Sequence, residues 1–200
     1  EPPRRGPRAT GRPVSRRSGL RAAQRVLVVG AGPIGLSAIV FAKARGANVT
    51  VVDGNARRLA FAVNEAKADT GMEASPDIKD RLRAATGGDF FDLGIDATGS
   101  PAAMDAGFAY VAKGGSCARR STVRSPITFA DPEFHRRELT IFASRNATRE
   151  DFDTVLAAMR AGQVPSKALA THRGSLDDAP SLIPEWAKPE TGVVKALLEI

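Results

Sequence analysis

Three glycines and one carboxylate carry the clearest chemistry in this 200-residue chain. Residues 28–35 read VVGAGPIG, which sets Gly30, Gly32 and Gly35 in the spacing G-x-G-x-x-G. In that spacing the first glycine permits a tight turn. The second lets the backbone approach a pyrophosphate, and the third lets a helix pack close to a strand. Free amides and the positive end of the helix dipole then face the phosphates. Asp53 stands eighteen residues beyond Gly35, near the ~20 at which an acid reaches a ribose 2′-hydroxyl. A carboxylate there repels a 2′-phosphate, so NAD is expected rather than NADP. Arg57 and Arg58 pull the other way, because a guanidinium binds such a phosphate. The plainer alternatives are an ordinary buried glycine turn, with Asp53 as the N-cap of the next helix.

The glycine pattern is informative only where a strand precedes it and a helix follows. Val26–Val29 is an apolar run suited to a strand buried on both faces. Ile34, Ala38, Phe41 and Ala42 repeat at helical spacing, up to a stop at Gly46 just past Arg45. Val49–Val52 predicts a second strand ending at Asp53. Helices are expected over 57–66 and 78–85, the latter stopped by Gly87-Gly88; residues 67–77 are polar and show no period. A strand over 90–97 ends in D-A-T-G, Asp96 to Gly99. A helix over 101–113 has Pro in its first turn and Gly114-Gly115 behind it. A strand should follow, yet Ala118-Arg119-Arg120-Ser121-Thr122 is too polar for a buried parallel strand.

Strand character resumes at 139–143. A helix over 150–161 has Thr148 as N-cap and Asp151 as its capping-box partner. A short run at 168–173, a helix near 177–186 and an apolar strand over 193–200 complete the chain. This alternation predicts an α/β fold, a doubly wound parallel sheet of the Rossmann type. Residues 1–24 form an Arg/Pro-rich irregular segment, 25–162 a dinucleotide-binding domain and 163–200 a C-terminal segment.

Composition narrows the function classes. At 42% hydrophobic residues the chain can bury a core, and no apolar run approaches the ~20 residues that span a bilayer. The single cysteine, Cys117, excludes an internal disulfide framework and a Cys-rich zinc site, which fits a reducing, cytoplasmic setting. The net charge of +7 suggests nucleic acid at first sight, but residues 1–24 hold seven arginines and one glutamate and account for nearly all of it. That segment has no aromatic residue to stack on bases, so neither a nucleic-acid nor a membrane partner is expected.

Four stretches together resemble the cofactor-binding half of the zinc-dependent medium-chain dehydrogenases, in the branch acting on polyols, threonine and sugar acids. They are EP at the start, RVLVVGAGPIGL, GIDATGS and ITFADPEFHRRELTIFASRNAT. The end, from ATHRGSLDDAP to VVKALLEI, is also similar. The resemblance implies oxidation of a secondary alcohol by hydride transfer to NAD, with a zinc ion in the parent protein as Lewis acid. It implies that Gly30, Gly32, Pro33, Ile34 and Gly35 line the pyrophosphate, and that Asp53 holds the adenosine ribose with Arg58 beside it. Thr98 and Gly99 would lie near the cofactor, and Ser144, Arg145 and Asn146 near the nicotinamide, where Arg145 is also suited to pair with a substrate carboxylate. The DPEFH…SRNAT run leans toward a small sugar acid such as gulonate or galactonate. A homo-oligomer joined through the 139–143 edge strand is implied as well.

The departures matter equally. The family's zinc ligands come from a separate GroES-like catalytic domain, toward which the C-terminal segment would return. None of its ligand pattern is in this sequence, so no metal site and no catalytic residue is expected here. Cys117, His135 and His172 match no ligand position. Glu1 alone matches a glutamate beside the catalytic zinc of the polyol branch, and by itself it cannot hold a metal. PRRGPRATGRPVSRRSG and ARRST both place arginines where the family is apolar. A short shift of reading frame in a GC-rich coding sequence would produce both. If the ARRST strand forms, it is expected to bury two arginines and distort. Two other functions use the same glycine turn: a non-catalytic NAD-sensing module and an FAD-binding flavoprotein domain.

Overall fold

The computed structural model describes residues 23–200. Glu1 and nearly all of the irregular segment 1–24 lie outside them. Arg25–Val29 forms strand β1, whose Val26, Leu27 and Val28 are 0%, 1% and 0% exposed. Helix α1 (Pro33–Lys43) and β2 (Asn48–Asp53) follow, then α2 (Ala56–Asn64), β3 (Thr70–Glu73) and α3 (Ile78–Ala85). Next come β4 (Phe91–Asp96), α4 (Pro101–Gly107), β5 (Val111–Arg119), α5 (Asp131–Arg136) and β6 (Thr140–Ala143). The six strands make one parallel sheet in the order β3-β2-β1-β4-β5-β6. That is the order of two mononucleotide-binding halves wound in opposite directions from the β1/β4 junction.

Alternate residues of the central strands feed two apolar layers, as a period of two demands. Val26 and Val28 of β1 and Val49 and Val51 of β2 pack with Leu36, Ile39 and Val40 of α1 and Leu59 of α2. Leu27 and Val52 point the other way, toward Ile78 and Leu82 of α3, Phe91 and Tyr110. Beyond β6 the chain forms α6 (Arg149–Arg160), the short α7 (Ser166–Leu169), β7 (His172–Ser175), α8 (Ala179–Trp186) and β8 (Ala196–Glu199). β7 and β8 pair in parallel as a separate two-stranded sheet. Val164, Leu169 and Val194 pack against the larger core cluster. Among the described residues no helix is long and apolar enough to cross a membrane.

Two expected elements differ. The helix expected over 101–113 ends at Gly107, and after a 3₁₀ turn at Phe108–Tyr110 the chain enters β5. Gly114 and Gly115 sit inside that strand. The pairing of β4 with β5 jumps from Phe91↔Val111 to Leu93↔Ser116, which bulges β5. Gly114 takes φ +72° there, and a Cβ on Gly115 would lie 2.6 Å from Val111 and 3.0 Å from the Asp92 carbonyl.

The strand judged too polar also forms. Ala118 is fully buried and Arg119 is half-buried at its end, but Arg120 is already exposed. Only one arginine is therefore drawn inward, not two. Its guanidinium donates to the Met104 carbonyl at 2.8 Å and lies 4.8 Å over the Phe108 ring, while its Nη2 is buried without a partner.

Candidate dinucleotide site

The glycine turn lies at the carboxyl end of β1, where the sheet reverses direction. Gly30 takes φ +97°, a region that side chains rarely enter, and its amide donates to the Val52 carbonyl at 2.8 Å. A Cβ on Gly30 would meet the Ala97 carbonyl at 3.0 Å, so the turn is pressed against the loop after β4. A Cβ on Gly35 would stand 1.8 Å from the Gly30 oxygen; only a glycine lets α1 pack this close to β1. At Gly32 the result is opposite: a Cβ there would meet nothing within 4 Å. The first and third glycines serve the fold, and the second borders open space.

Gly32 is the N-cap of α1, and Pro33 occupies the first helical position, where its missing N–H costs nothing. The cap has no side-chain acceptor, and the first turn holds no acidic residue. The amides of Gly32, Ile34 and Gly35 have no intrahelical acceptor at this end of the helix. These donors and the helix dipole suit an anion. Ile34 stands 46% exposed beside them.

Asp53 closes the β2 side of the turn. Its Oδ2 accepts the Ala31 amide at 2.7 Å and its Oδ1 the Asn55 amide at 2.8 Å. Each oxygen keeps a second lone pair toward the open side. The N-cap of α2 is Asn55, not Asp53: the Asn55 side chain accepts from the amides of Arg57 and Arg58 at 2.9 and 3.2 Å. Arg57 and Arg58 are exposed on the first turn of α2.

On the β4 side, Asp96 is 6% exposed and accepts from the Thr98 amide and hydroxyl, each at 3.2 Å. Burial pushes the Asp96 carboxyl above its ordinary range, against the pull of the Thr98 bonds and of Arg119. Thr98 in turn accepts the Ser100 amide at 3.0 Å, and Gly99 takes φ +66°. The Thr98 hydroxyl is thus occupied in shaping the D-A-T-G loop beside Gly30.

Ser144, Arg145 and Asn146 follow β6. The Ser144 amide donates to the Arg119 carbonyl at 3.2 Å, and its Oγ accepts from Arg120 Nη1 at 3.1 Å. The Arg120 amide donates to the Asp96 carbonyl at 3.1 Å. The carboxyl ends of β4, β5 and β6 are thereby joined into one rim. Sequence reading missed three members of this constellation: Ala31, Asp96 and Arg120. Asp96 carried a signal, because Asp-x-Thr is a side-chain-to-backbone turn motif.

The residues fit a dinucleotide: an open cradle at Gly32, amides without an intrahelical acceptor, a helix N-terminus and an acid one strand away. They do not fit zinc. Among the described residues no three His, Cys, Asp or Glu side chains come together, and the buried Cys117 thiol is pushed up to about 12 by desolvation.

Residues 33–161 match the zinc-binding dehydrogenase family, and the chain belongs to it. L-galactonate-5-dehydrogenase of Escherichia coli K12 is 38% identical over 158 residues, covering 79% of this chain and 46% of that protein. D-xylulose reductase A of Aspergillus niger is 31% identical over 83% of this chain and 48% of its own length. The alcohol dehydrogenase TADH from Thermus sp. ATN1 superposes with a TM-score of 0.80 at 25% identity, over 93% of this chain and 54% of that one. An Escherichia coli CFT073 alcohol dehydrogenase solved with NADH shares the fold, with a TM-score of 0.85 at 24% identity over 94% of this chain and 55% of its own. The chain spans about half the length of the curated relatives it matches.

Proposed function

We propose that this chain is the NAD-binding part of a zinc-type alcohol dehydrogenase that oxidises a secondary alcohol of a polyol or sugar acid. The observation that carries this reading is the glycine turn: two glycines pressed against backbone and one bordering open space, with Asp53 at the neighbouring strand end. NAD, when bound, would accept a hydride from the alcohol carbon, and the alcohol proton would pass to water as the ketone forms.

The chain's own residues bind and orient. The amides of Gly32, Ile34 and Gly35 hold the paired phosphates, with no negative charge in the first turn of α1 to oppose them. Asp53 accepts from the adenosine ribose hydroxyls. With Asp53 at the end of β2 and Ser144, Arg145 and Asn146 after β6, on either side of β1 and β4 in the sheet order, Asp53 would hold the adenosine end and the β5–β6 rim would border the nicotinamide end. Thr98 and Gly99 shape the crossing, and Ser144, Arg145 and Asn146 border the far end.

A catalytic zinc needs three converging ligands, and among the described residues no three His, Cys, Asp or Glu side chains come together. We therefore expect it to bind NAD without turning over an alcohol. In equilibrium dialysis NADH is retained and FAD is not, and the dialysed protein with zinc, NAD and galactonate gives no absorbance rise at 340 nm. Retention of FAD, or zinc-dependent NADH production by the 200-residue chain, would overturn the reading.

A further inference from the structure

The pairing of β2 with β3 brings a second acid to the strand ends where Asp53 stands. Asp53 and Glu73 are register partners on these parallel strands, and the Ala74 amide donates to the Asp53 carbonyl at 3.0 Å. Paired strands run about 4.8 Å apart, and in-register residues of a parallel pair share a face. On β3 that face is the α2 side: a Cβ on Gly71, two residues before Glu73, would lie 3.2 Å from Val63 and 3.7 Å from Leu59 of α2. Glu73 is exposed, and its carboxylate makes no hydrogen bond or ion pair among the described residues. Arg81 reaches this strand end from α3, but it spends Nη1 on the Glu73 carbonyl at 3.2 Å and on Ser75 Oγ at 3.1 Å.

The start of α2, beside these acids, is already filled. The Asn55 side chain accepts the amides of Arg57 and Arg58, and Asp53 Oδ1 accepts the amide of Asn55. α1 is the opposite case, since its cap has no side-chain acceptor. An anion at α1 meets open donors. An anion at α2 meets donors already used and two carboxylates in register. Arg57 and Arg58 are exposed and form no ion pair among the described residues. Attraction there falls to two guanidiniums that salt screens.

NAD and NADP differ at one position, the adenosine ribose 2′-oxygen, which is a hydroxyl in one and a phosphate ester in the other. On the reading above, Asp53 holds that ribose, so the extra phosphate would be set down at the β2–β3 end. We propose that Glu73, beside Asp53 and with Asn55 closing α2, is a specificity-determining residue that turns a 2′-phosphate away despite Arg57 and Arg58. The proposal rests on the NAD-binding reading and deepens it: the edge strand β3, as well as β2, chooses the cofactor.

The test uses the whole 200-residue chain, titrated with NADH and separately with NADPH while cofactor fluorescence is followed. Folded protein that binds neither would remove the underlying reading, and this proposal with it. The parent chain is expected to bind NADH at least about tenfold more tightly than NADPH. Glu73→Gln keeps the size of the side chain and removes its charge. It should raise NADPH affinity about three- to tenfold while NADH affinity and the melting curve stay as in the parent chain. Glu65→Gln removes an equal charge from the exposed far end of α2 and should leave both affinities as they were. Three results would each overturn the proposal with NADH binding intact: equal affinities of the parent chain for the two cofactors, unchanged NADPH affinity in Glu73→Gln, or an equal gain in Glu65→Gln.

Discussion

At the scale of single residues, identical glycines do different work. Gly35 is fixed by a contact of 1.8 Å that no other residue survives, Gly30 by a positive φ, and Gly32 by nothing in the protein itself. A glycine that the fold does not need is the one best read as kept for a ligand. Asp53 shows the same economy, since its two amide acceptances pin the turn to α2 and leave lone pairs outward. Cys117 belongs to the core: it is 6% exposed, and desolvation holds its thiol in the neutral form. Reactivity needs the thiolate. Folded protein at pH 8 is therefore expected to resist a thiol reagent, and labelling is expected to follow the unfolding curve in urea. Fast stoichiometric labelling without denaturant would contradict this placement.

Arg119 is the residue that fits its place worst. One buried nitrogen has no acceptor, and the Met104 carbonyl and Phe108 ring compensate only in part. A buried donor left unsatisfied costs about 1–3 kcal/mol, and a flexible apolar side chain fills the same space without that penalty. Arg119→Met is expected to stabilise the chain by about 1 kcal/mol, a rise of roughly 2–4 °C in melting temperature. A fall of similar size would show that attraction to Asp96 outweighs the orphaned nitrogen.

Among the secondary-structure elements, legibility in sequence followed how much each element decides for itself. β1, α1 and β2 were plain because a buried strand must be apolar throughout and a covered helix must repeat at helical spacing. The turn between β1 and α1 is coded by three glycines and was equally plain. α6 was visible through its cap, where Asp151 accepts from the Thr148 amide and hydroxyl at 2.8 Å each. β3 was not visible: it is an edge strand of Thr70, Gly71, Met72 and Glu73, mostly exposed, and its pairing with β2 defines it. β5 was misplaced for a related reason. Its bulge at Gly114-Gly115 reads as a helix stop until β4 is seen beside it. Cross-strand pairing is a long-range fact that local pattern does not carry.

The β2–β3 side of the sheet is tied to α1 by a small polar latch. Lys43 donates to both oxygens of Asp69 at 2.8 and 2.7 Å, and Asp69 also accepts the Val49 amide at 2.7 Å. Partial burial opposes ionisation, but these bonds outweigh it and hold the carboxyl below its ordinary 3.8. A depressed folded value means that the contribution is complete above 3.8 and is lost as pH falls through the lower folded value. Asp69→Asn should therefore lower stability at neutral pH and converge with the parent protein in strong acid. A constant difference down to pH 2, followed by urea melts, would refute the latch.

For the molecule as a whole, the doubly wound parallel class was legible because alternation of strands and helices allows few topologies. The substrate side of the site was less so, because the rim depends on where β4, β5 and β6 end relative to one another. β6 is an edge of the sheet with Ile141 39% exposed, and an uncovered edge invites pairing. We expect a second copy to pair there, giving a dimer in size-exclusion chromatography that Ile141→Lys splits; a monomeric parent chain at micromolar concentration would exclude it.

The central claim is that Gly32 is open because paired phosphates come to rest against it. Calorimetric titration of NAD into the chain and into Gly32→Val tests this most directly. The account predicts saturable binding by the parent chain, at least about tenfold weaker binding by the variant, and a variant that stays folded, its melting temperature lower only by the few degrees that a valine N-cap costs. Folded parent protein that takes up no NAD, or a valine variant that binds it undiminished, would contradict the account.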